Sequence, residues 1–395
     1  MLGAPAGKRN AVFVDDINMP FVERYGAQPP IELLRLFMDK NGLYERADWQ
    51  WKQVTDTTLV AAAAPPVGGR YPLTPRFTTN FNMFCVPEAS ESVLQKIFGS
   101  ILGGFLKAGF QDNIQSLCDA CVNSTIEVYV KISAELRATP AKFHYLFNLR
   151  DVSKVIQGIM MARPVSMVSP DSLARLWVNE ACRVFQDRLN TNADRDWLIE
   201  AVMDMVSKNF KSGLDREDMF GEKKLMITDL HKLDVPVKLY EEIKDQAKLI
   251  KQLNGYLEEY NYSSSHKMNL VFFQDAVLHI LRICRTLRQP RGNIMLIGVG
   301  GSGKQSLTRL SSYMYEMSFK QIEIVKGYNE KHFHEFIKEM MFMSGADGRR
   351  VTFAINDSQI LRESFLEDIN NILNTGEVPN LMQPEDKERV QNDCR

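Results

Sequence analysis

The chain has 395 residues, 45% of them hydrophobic and 25% charged, and its 48 basic side chains balance 49 acidic ones to a formal charge of −1. That composition excludes a disordered chain, and the charge balance excludes a global field suited to nucleic acid or an anionic membrane surface. No stretch approaches the ~20 apolar residues that span a bilayer, and the length suffices for roughly two to three domains with cores of their own.

In chain order, the first element is Asn-Ala-Val-Phe-Val-Asp at 10–15, an apolar strand closing on the carboxylates Asp15 and Asp16 in the manner of a Walker B strand. Residues 1–9 are too few to hold the glycine loop such a strand serves, so the chain is expected to open inside a nucleotide-binding domain. Thr-Leu-Val-Ala-Ala-Ala-Ala at 58–64 predicts a further, buried strand, closed by the turn formers Pro65, Pro66, Gly68 and Gly69. Arg76 follows, held beside the rigid Pro75.

Helices then take over. Val93, Leu94, Ile97, Phe98, Ile101, Leu102, Phe105 and Leu106 recur at three and four, which predicts an amphipathic helix, and 114–210 reads as mostly helical. Cys118 and Cys121 form a CxxC with no second pair, and they share a helical face with Ile114, Leu117 and Val128. Buried free thiols are therefore expected, not zinc, and the other cysteines at 85, 182, 284 and 394 are scattered. The start of the chain lacks the apolar core of a secretory signal, so an intracellular protein is expected. Residues 212–238 are charged and broken by Gly213, Gly221 and Pro236, reading as a linker or loop-rich crossing, and a packed helix is expected at 238–260.

The most specific stretch comes next. An apolar strand at 293–299 runs into Gly298, Gly300, Gly301, Ser302 and Gly303, then Lys304 and a helix. Glycines let backbone N–H groups crowd inward, the helix presents its positive end, and the lysine adds a point charge that reaches β and γ phosphates. The spacing is that of a Walker A loop, with Gln305 where Ser or Thr usually offers magnesium a hydroxyl, followed by Ser306. Downstream, Val-Thr-Phe-Ala-Ile at 351–355 reads as its Walker B strand, closing on Asn356 and on Asp357, the residue placed to hold magnesium. Ser358 stands where a glutamate would polarise water, so binding is better supported than hydrolysis.

Two nucleotide-site halves around a helical subdomain form the layout of tandem AAA+ modules. The run from Val12 through Asp15, Asp16 and Met19 to Pro20, the run Tyr25 to Leu34, and His144-Tyr-Leu-Phe-Asn-Leu-Arg-Asp-Val-Ser-Lys154 resemble the third AAA+ module of axonemal dynein heavy chains. Gly298-Val-Gly-Gly-Ser-Gly-Lys-Gln-Ser-Leu307 and the run Phe365 to Pro379 resemble the fourth. The resemblance covers nearly the whole chain. It implies an α/β fold of P-loop AAA+ modules with an intervening helical lid: a partial large subdomain at 1–112, the lid at 113–211, a linker and connecting helix at 212–265, and a second partial large subdomain at 266–395.

Carried over residue by residue, the resemblance makes Lys304 and Asp357 the Walker A lysine and Walker B aspartate of the fourth module, and Asp15 with Asp16 the acidic pair of the third. It makes Arg76 the arginine offered in trans to the preceding module's phosphate, and Arg183, within Trp177-Val-Asn-Glu-Ala-Cys-Arg-Val-Phe185, the sensor-two residue of the lid. Departures are Thr79, where the family often writes a second arginine, and Ala64, near the place of a polar sensor-one residue. Gln305 fits the fourth-module pattern.

The implied cofactors are ATP or ADP with Mg²⁺. The implied partners are the remaining modules of the ring, dynein intermediate and light chains, and microtubules through a stalk absent here, with no nucleic acid and no membrane. The implied setting is the cytoskeleton of the ciliary axoneme, where the parent motor moves toward microtubule minus ends. With one P-loop missing and the second module cut short, the chain alone is expected to bind nucleotide weakly and not to turn it over. The alternative is a truncated scaffold that binds dynein partners without nucleotide. An unrelated P-loop kinase is disfavoured, because no substrate-handling motif accompanies the loop.

Overall fold

A computed structural model describes residues 2–66, 69–210, 212–221, 224–230, 238–379 and 381–393. Gly68, Pro236 and Cys394 lie outside the described residues. The chain divides by contacts into two units, 1–88 and 89–395.

The first unit contains β1 (Leu2–Gly3), β2 (Asn10–Val14), α1 (Pro29–Lys40), β3 (Gly42–Tyr44), β4 (Trp51–Thr55), β5 (Thr57–Ala61) and α2 (Pro75–Thr78). β2 runs parallel to β5, with Asn10 opposite Thr57 and Val14 opposite Ala61. β4 joins β1 in parallel and β3 in antiparallel fashion. α1 begins with proline, whose missing N–H costs nothing there, and ends at Asn41 in the left-handed region. Ile17, Ile31 and Phe77 form the small core on which Ala61 packs. The strand expected to be buried at 58–64 is half exposed instead, because its sheet has a single neighbouring strand and residues alternate between the core and solvent.

The second unit begins with α3 (Glu91–Leu106), α4 (Asp112–Gln115), α5 (Cys118–Glu135), α6 (Leu149–Ile159), α7 (Pro170–Val184) and α8 (Asn192–Met205), which passes into a π turn at Val206–Phe210. α3 packs on α5, and α6 on α7. α3 splits its apolar stripe: Leu94, Phe98, Leu102 and Leu106 are buried, while Val93, Ile97 and Ile101 stay half exposed. Asn148 and Asp151 form a capping box that starts α6, and Ser169 caps α7. Trp177 is fully buried at the centre and donates from Nε1 to Thr125 Oγ1 at 2.9 Å. Cys118 and Cys121 are free thiols on α5, and burial pushes the Cys121 thiol far up.

Next come α9 (Arg216–Phe220), β6 (Ile227–Thr228), β7 (Glu241–Glu242), α10 (Gln246–Ser263), α11 (Gln274–Arg288), α12 (Lys304–Met314), β8 (Ser318–Gln321), α13 (Glu330–Gly345), β9 (Val351–Ala354), α14 (Glu363–Asn374) and α15 (Pro384–Asp393). The expected linker is irregular but docked, since Met219, Met226, Ile227 and Leu230 are buried. The helix expected from 238 starts at Gln246, where Asp245 caps it through the Lys248 amide at 3.1 Å, because Tyr240 and β7 are held elsewhere. α10, α11 and α12 share one core, and β8 pairs in parallel with β9.

The strand expected at 293–299 is absent. No β-ladder includes these residues, since β8 and β9 pair only with each other among the described residues. Leu296 packs on the core of α10 to α12, whereas Met295, Ile297 and Val299 are 84%, 89% and 79% exposed. The alternation of a strand survives without its hydrogen-bonded neighbour.

A polar cluster joins the helical subdomain to the helices before the loop. Glu180 of α7 is fully buried and accepts from Tyr240 Oη at 2.8 Å, Arg285 Nε at 2.8 Å and Asn179 Nδ2 at 2.9 Å. Burial alone would lower the Arg285 pKa, but the charge of Glu180 outweighs it and holds the guanidinium above its usual range. Arg175 forks onto Glu242, and Arg288 reaches Asp229 at 2.6 Å. Gly158 of α6 faces Glu180 so closely that a Cβ there would collide with the carboxylate.

Arg285→Met strands a buried carboxylate and should destabilise the chain by ~3–5 kcal/mol in urea unfolding, whereas Glu180→Met with Arg285→Met should recover most of that loss. Equal loss in the single and double variants would assign the effect to packing instead of charge. Gly158→Ala should also destabilise, because Glu180 is held from three sides and cannot retreat.

Candidate nucleotide-phosphate site

The loop at 298–303 is shaped by its glycines. Gly301 and Gly303 adopt φ of +77° and +79°, a region that L side chains rarely occupy. Gly303 is the N-cap of α12 and offers no side chain, and the helical ladder starts only at Leu307 N to Gly303 O, 2.9 Å. The amides of Lys304, Gln305 and Ser306 therefore have no helical partner and stand at the positive end of α12. That is the donor set a phosphate requires.

Lys304 closes the loop from within. Its Nζ donates to Gly298 O at 2.6 Å, Val299 O at 2.8 Å and Ser302 Oγ at 3.3 Å. The ammonium thus serves as a pin across the turn, and a phosphate must offer it better acceptors than two carbonyls. An anionic oxygen does so. Gln305 is exposed beside it and Ser306 half-buried, so an amide oxygen and a hydroxyl are the side-chain oxygens at the helix start.

Asp357 opens a short 3-10 turn after β9, exposed, and its carboxylate makes no ion pair or side-chain hydrogen bond among the described residues. What holds that turn was not legible in the acidic residue itself. Gln359 is buried; its Oε1 accepts from Asn356 N at 2.8 Å and its Nε2 donates to Ile322 O at 2.6 Å, tying the turn to the end of β8. The signal was present as Asn356 followed three residues later by glutamine, a capping-box spacing. β8 packs against α12 and pairs with β9, so the loop helix and the acidic turn share one frame. The donors fit a polyphosphate. For magnesium, Asp357 is a hard oxygen ligand, but no group of three His, Cys, Asp or Glu among the described residues forms an all-protein cage, so a metal would rely on phosphate oxygens and water.

In the first unit Asp15 and Asp16 form the turn that follows β2. Asp16 sits at φ +48°, donates its amide to Asp15 Oδ1 at 3.0 Å, and is forked by Arg70 at 2.9 and 3.1 Å. Arg70 escaped sequence reasoning because nothing in its neighbourhood marks it. Arg76 lies exposed on α2 without an ionic partner among the described residues, while its neighbour Phe77, 1% exposed, anchors the turn. Thr79 caps that turn through its hydroxyl to Pro75 O at 2.6 Å, and Ala64 offers its carbonyl to Asn18 Nδ2 at 2.8 Å. Arg183 on α7 is largely buried and pairs with Asp187 at 3.4 Å.

A glycine loop on a helix start, an acidic strand end in the same frame and a preceding helical subdomain are the features of a P-loop nucleotide-binding module with a lid. Family models agree: "P-loop containing dynein motor region" matches residues 1–89, "Dynein heavy chain, ATPase lid domain" 99–195 and "P-loop containing dynein motor region D4" 268–395. The chain is 44% identical over 392 residues to human dynein axonemal heavy chain 6, covering 99% of this chain and 9% of that protein. It is 41% identical over 407 residues to rat dynein axonemal heavy chain 1, covering 100% and 9%. It is 38% identical over 395 residues to the Chlamydomonas reinhardtii dynein-1-beta heavy chain of the flagellar inner arm I1 complex, covering 99% and 9%. The chain belongs to the axonemal dynein heavy chains, and it spans about 9% of the length of these relatives.

Gln359→Ala should leave the buried Ile322 carbonyl unsatisfied and cost about 1–3 kcal/mol of stability. Chemical denaturation measures that loss, and amide exchange at 356–359 should quicken if the turn loosens. Unchanged exchange there would show that Gln359 does not hold the acidic turn.

Proposed function

We propose that this chain is the portion of an axonemal dynein heavy chain that carries nucleotide at its fourth AAA+ module and supports minus-end-directed microtubule motility in cilia and flagella. Gly298, Gly300, Gly301, Ser302 and Gly303 cradle the phosphates of ATP or ADP, with the amides of Lys304, Gln305 and Ser306 as the donors of the helix end. Lys304 exchanges its loop carbonyls for phosphate oxygens. Asp357 holds Mg²⁺ together with water, and the bound metal supplies charge neutralisation at the β and γ phosphates. The observation that carries this reading is the uncapped start of α12 with Lys304 folded over it.

Asp15 and Asp16 are the acidic pair of the third module, and Arg76 is its arginine offered to a neighbouring phosphate. Its exposure without a local carboxylate among the described residues keeps the guanidinium free for such a role. Other ring modules and dynein subunits are the partners this reading requires, and the ciliary axoneme is the setting.

Calorimetry with ATP and magnesium should register a loop site whose affinity falls at least tenfold in Lys304→Ala. Binding unaffected by Lys304→Ala, or none in either protein, would favour the scaffold alternative. Steady-state ATP turnover by the chain alone should stay at background, since Ser358 cannot act as the general base. Robust turnover abolished by Lys304→Ala would overturn that part of the proposal.

A further inference from the structure

A second anionic-ligand geometry occurs away from the loop. α7, α8, α9 and α11 enclose a cleft of about 480 Å³, and none of residues 298–306 lines it. That volume is in the range of small-molecule sites. One wall is apolar, with Val178, Ile199, Phe220 and Leu278. The lining also carries four cations, Arg183, Arg195, Lys224 and Arg282, against the carboxylates Asp187 and Asp275, a formal excess of two positive charges among these six.

The cations are under-partnered. Among the described residues Asp187 alone bridges Arg183 at 3.4 Å and Arg282 at 3.3 Å, and Asp275 pairs with Lys224 at 3.4 Å. Nε of Arg183 and Nε of Arg282 are both buried without an acceptor. An Nε–H buried without an acceptor is unfavourable, and Arg183 and Arg282 share one carboxylate, Asp187, at 3.4 and 3.3 Å. Burial and the nearby charge of Arg183 lower the Arg282 pKa, and burial followed by Arg282 lowers that of His279. All of these costs fall if an anion enters.

We propose that the cleft binds a small phosphate-bearing anion, seated between Arg183, Arg195 and Arg282. Planar guanidinium forks match phosphate oxygens, and Asp187 lies where it would compete with the ligand. Because α7 and α8 come from the helical subdomain and α11 leads into the P-loop helix, such a ligand would tie the two together independently of nucleotide at the loop.

The full chain carrying Lys304→Ala isolates this cleft from the loop. Calorimetry with pyrophosphate and with ADP, both without magnesium, should register one site, weakened at least tenfold by Arg282→Gln and tightened by Asp187→Asn. If Arg282→Gln does not fold, Arg195→Gln reads the same site, since its Nε binds a loop carbonyl, Leu189 O, at 3.0 Å. ADP tighter than pyrophosphate would place a base on the apolar wall, and equal affinities would assign the site to the phosphate alone; both support the proposal. Loss of all binding in Lys304→Ala, or affinity unchanged by both arginine substitutions, would overturn it.

Discussion

The second unit depends on a charge buried where no water can serve it. Glu180 sits inside the helical subdomain, and three donors, from Asn179, Tyr240 and Arg285, satisfy it. Two of those donors arrive from outside α7, so the helical subdomain cannot separate from α11 without exposing an unpaired carboxylate to an apolar interior. Such a group is far costlier alone than paired. Gly158 belongs to the same constraint, because the close approach of α6 leaves no room for even a methyl group. Arg175 with Glu242 repeats the device nearer the surface, where a pair is worth less, and Arg288 meets the buried Asp229.

That clamp has a mechanical consequence for the loop. α11 shares a core with α10 and α12, and α12 carries Lys304 at its first turn. A displacement of the helical subdomain therefore meets α11 first and reaches the helix that carries Lys304 through packed side chains. β8 rests against α12, and Gln359 ties the Asp357 turn to the residue that follows β8. The helix end, the lysine pin and the acidic turn are parts of one packed body, which is how a charge event at the loop can become a rigid-body event elsewhere.

Much of the site was legible because its chemistry is local. Glycines at 301 and 303 are required by the backbone that the turn adopts, and Lys304 follows at a spacing set by the reach of its own side chain. The helix at 91–106 was legible from its spacing and 114–210 as mostly helical, whereas the capped starts of α6 and α7 came from the structure. The strand at 293–299 was misread because alternation reports only which face a residue takes, whereas a strand exists when another chain segment bonds to it. The stretch at 212–238 read as a linker or loop-rich crossing, and its spacing did not show that Met219, Met226, Ile227 and Leu230 dock.

Sequence by itself determined the class of chemistry and the family, since those rest on motifs whose residues are neighbours in the chain. Tertiary structure alone decided who partners whom. Arg70 with Asp16, Glu180 with Arg285 and Gln359 with Ile322 are separated by 54, 105 and 37 residues, and no periodicity connects them. The arginine cleft is of the same kind, because its excess charge exists only once α7, α8 and α11 are brought side by side. Electrostatic and hydrogen-bond energies depend on distance in space and on burial, and a linear pattern carries neither.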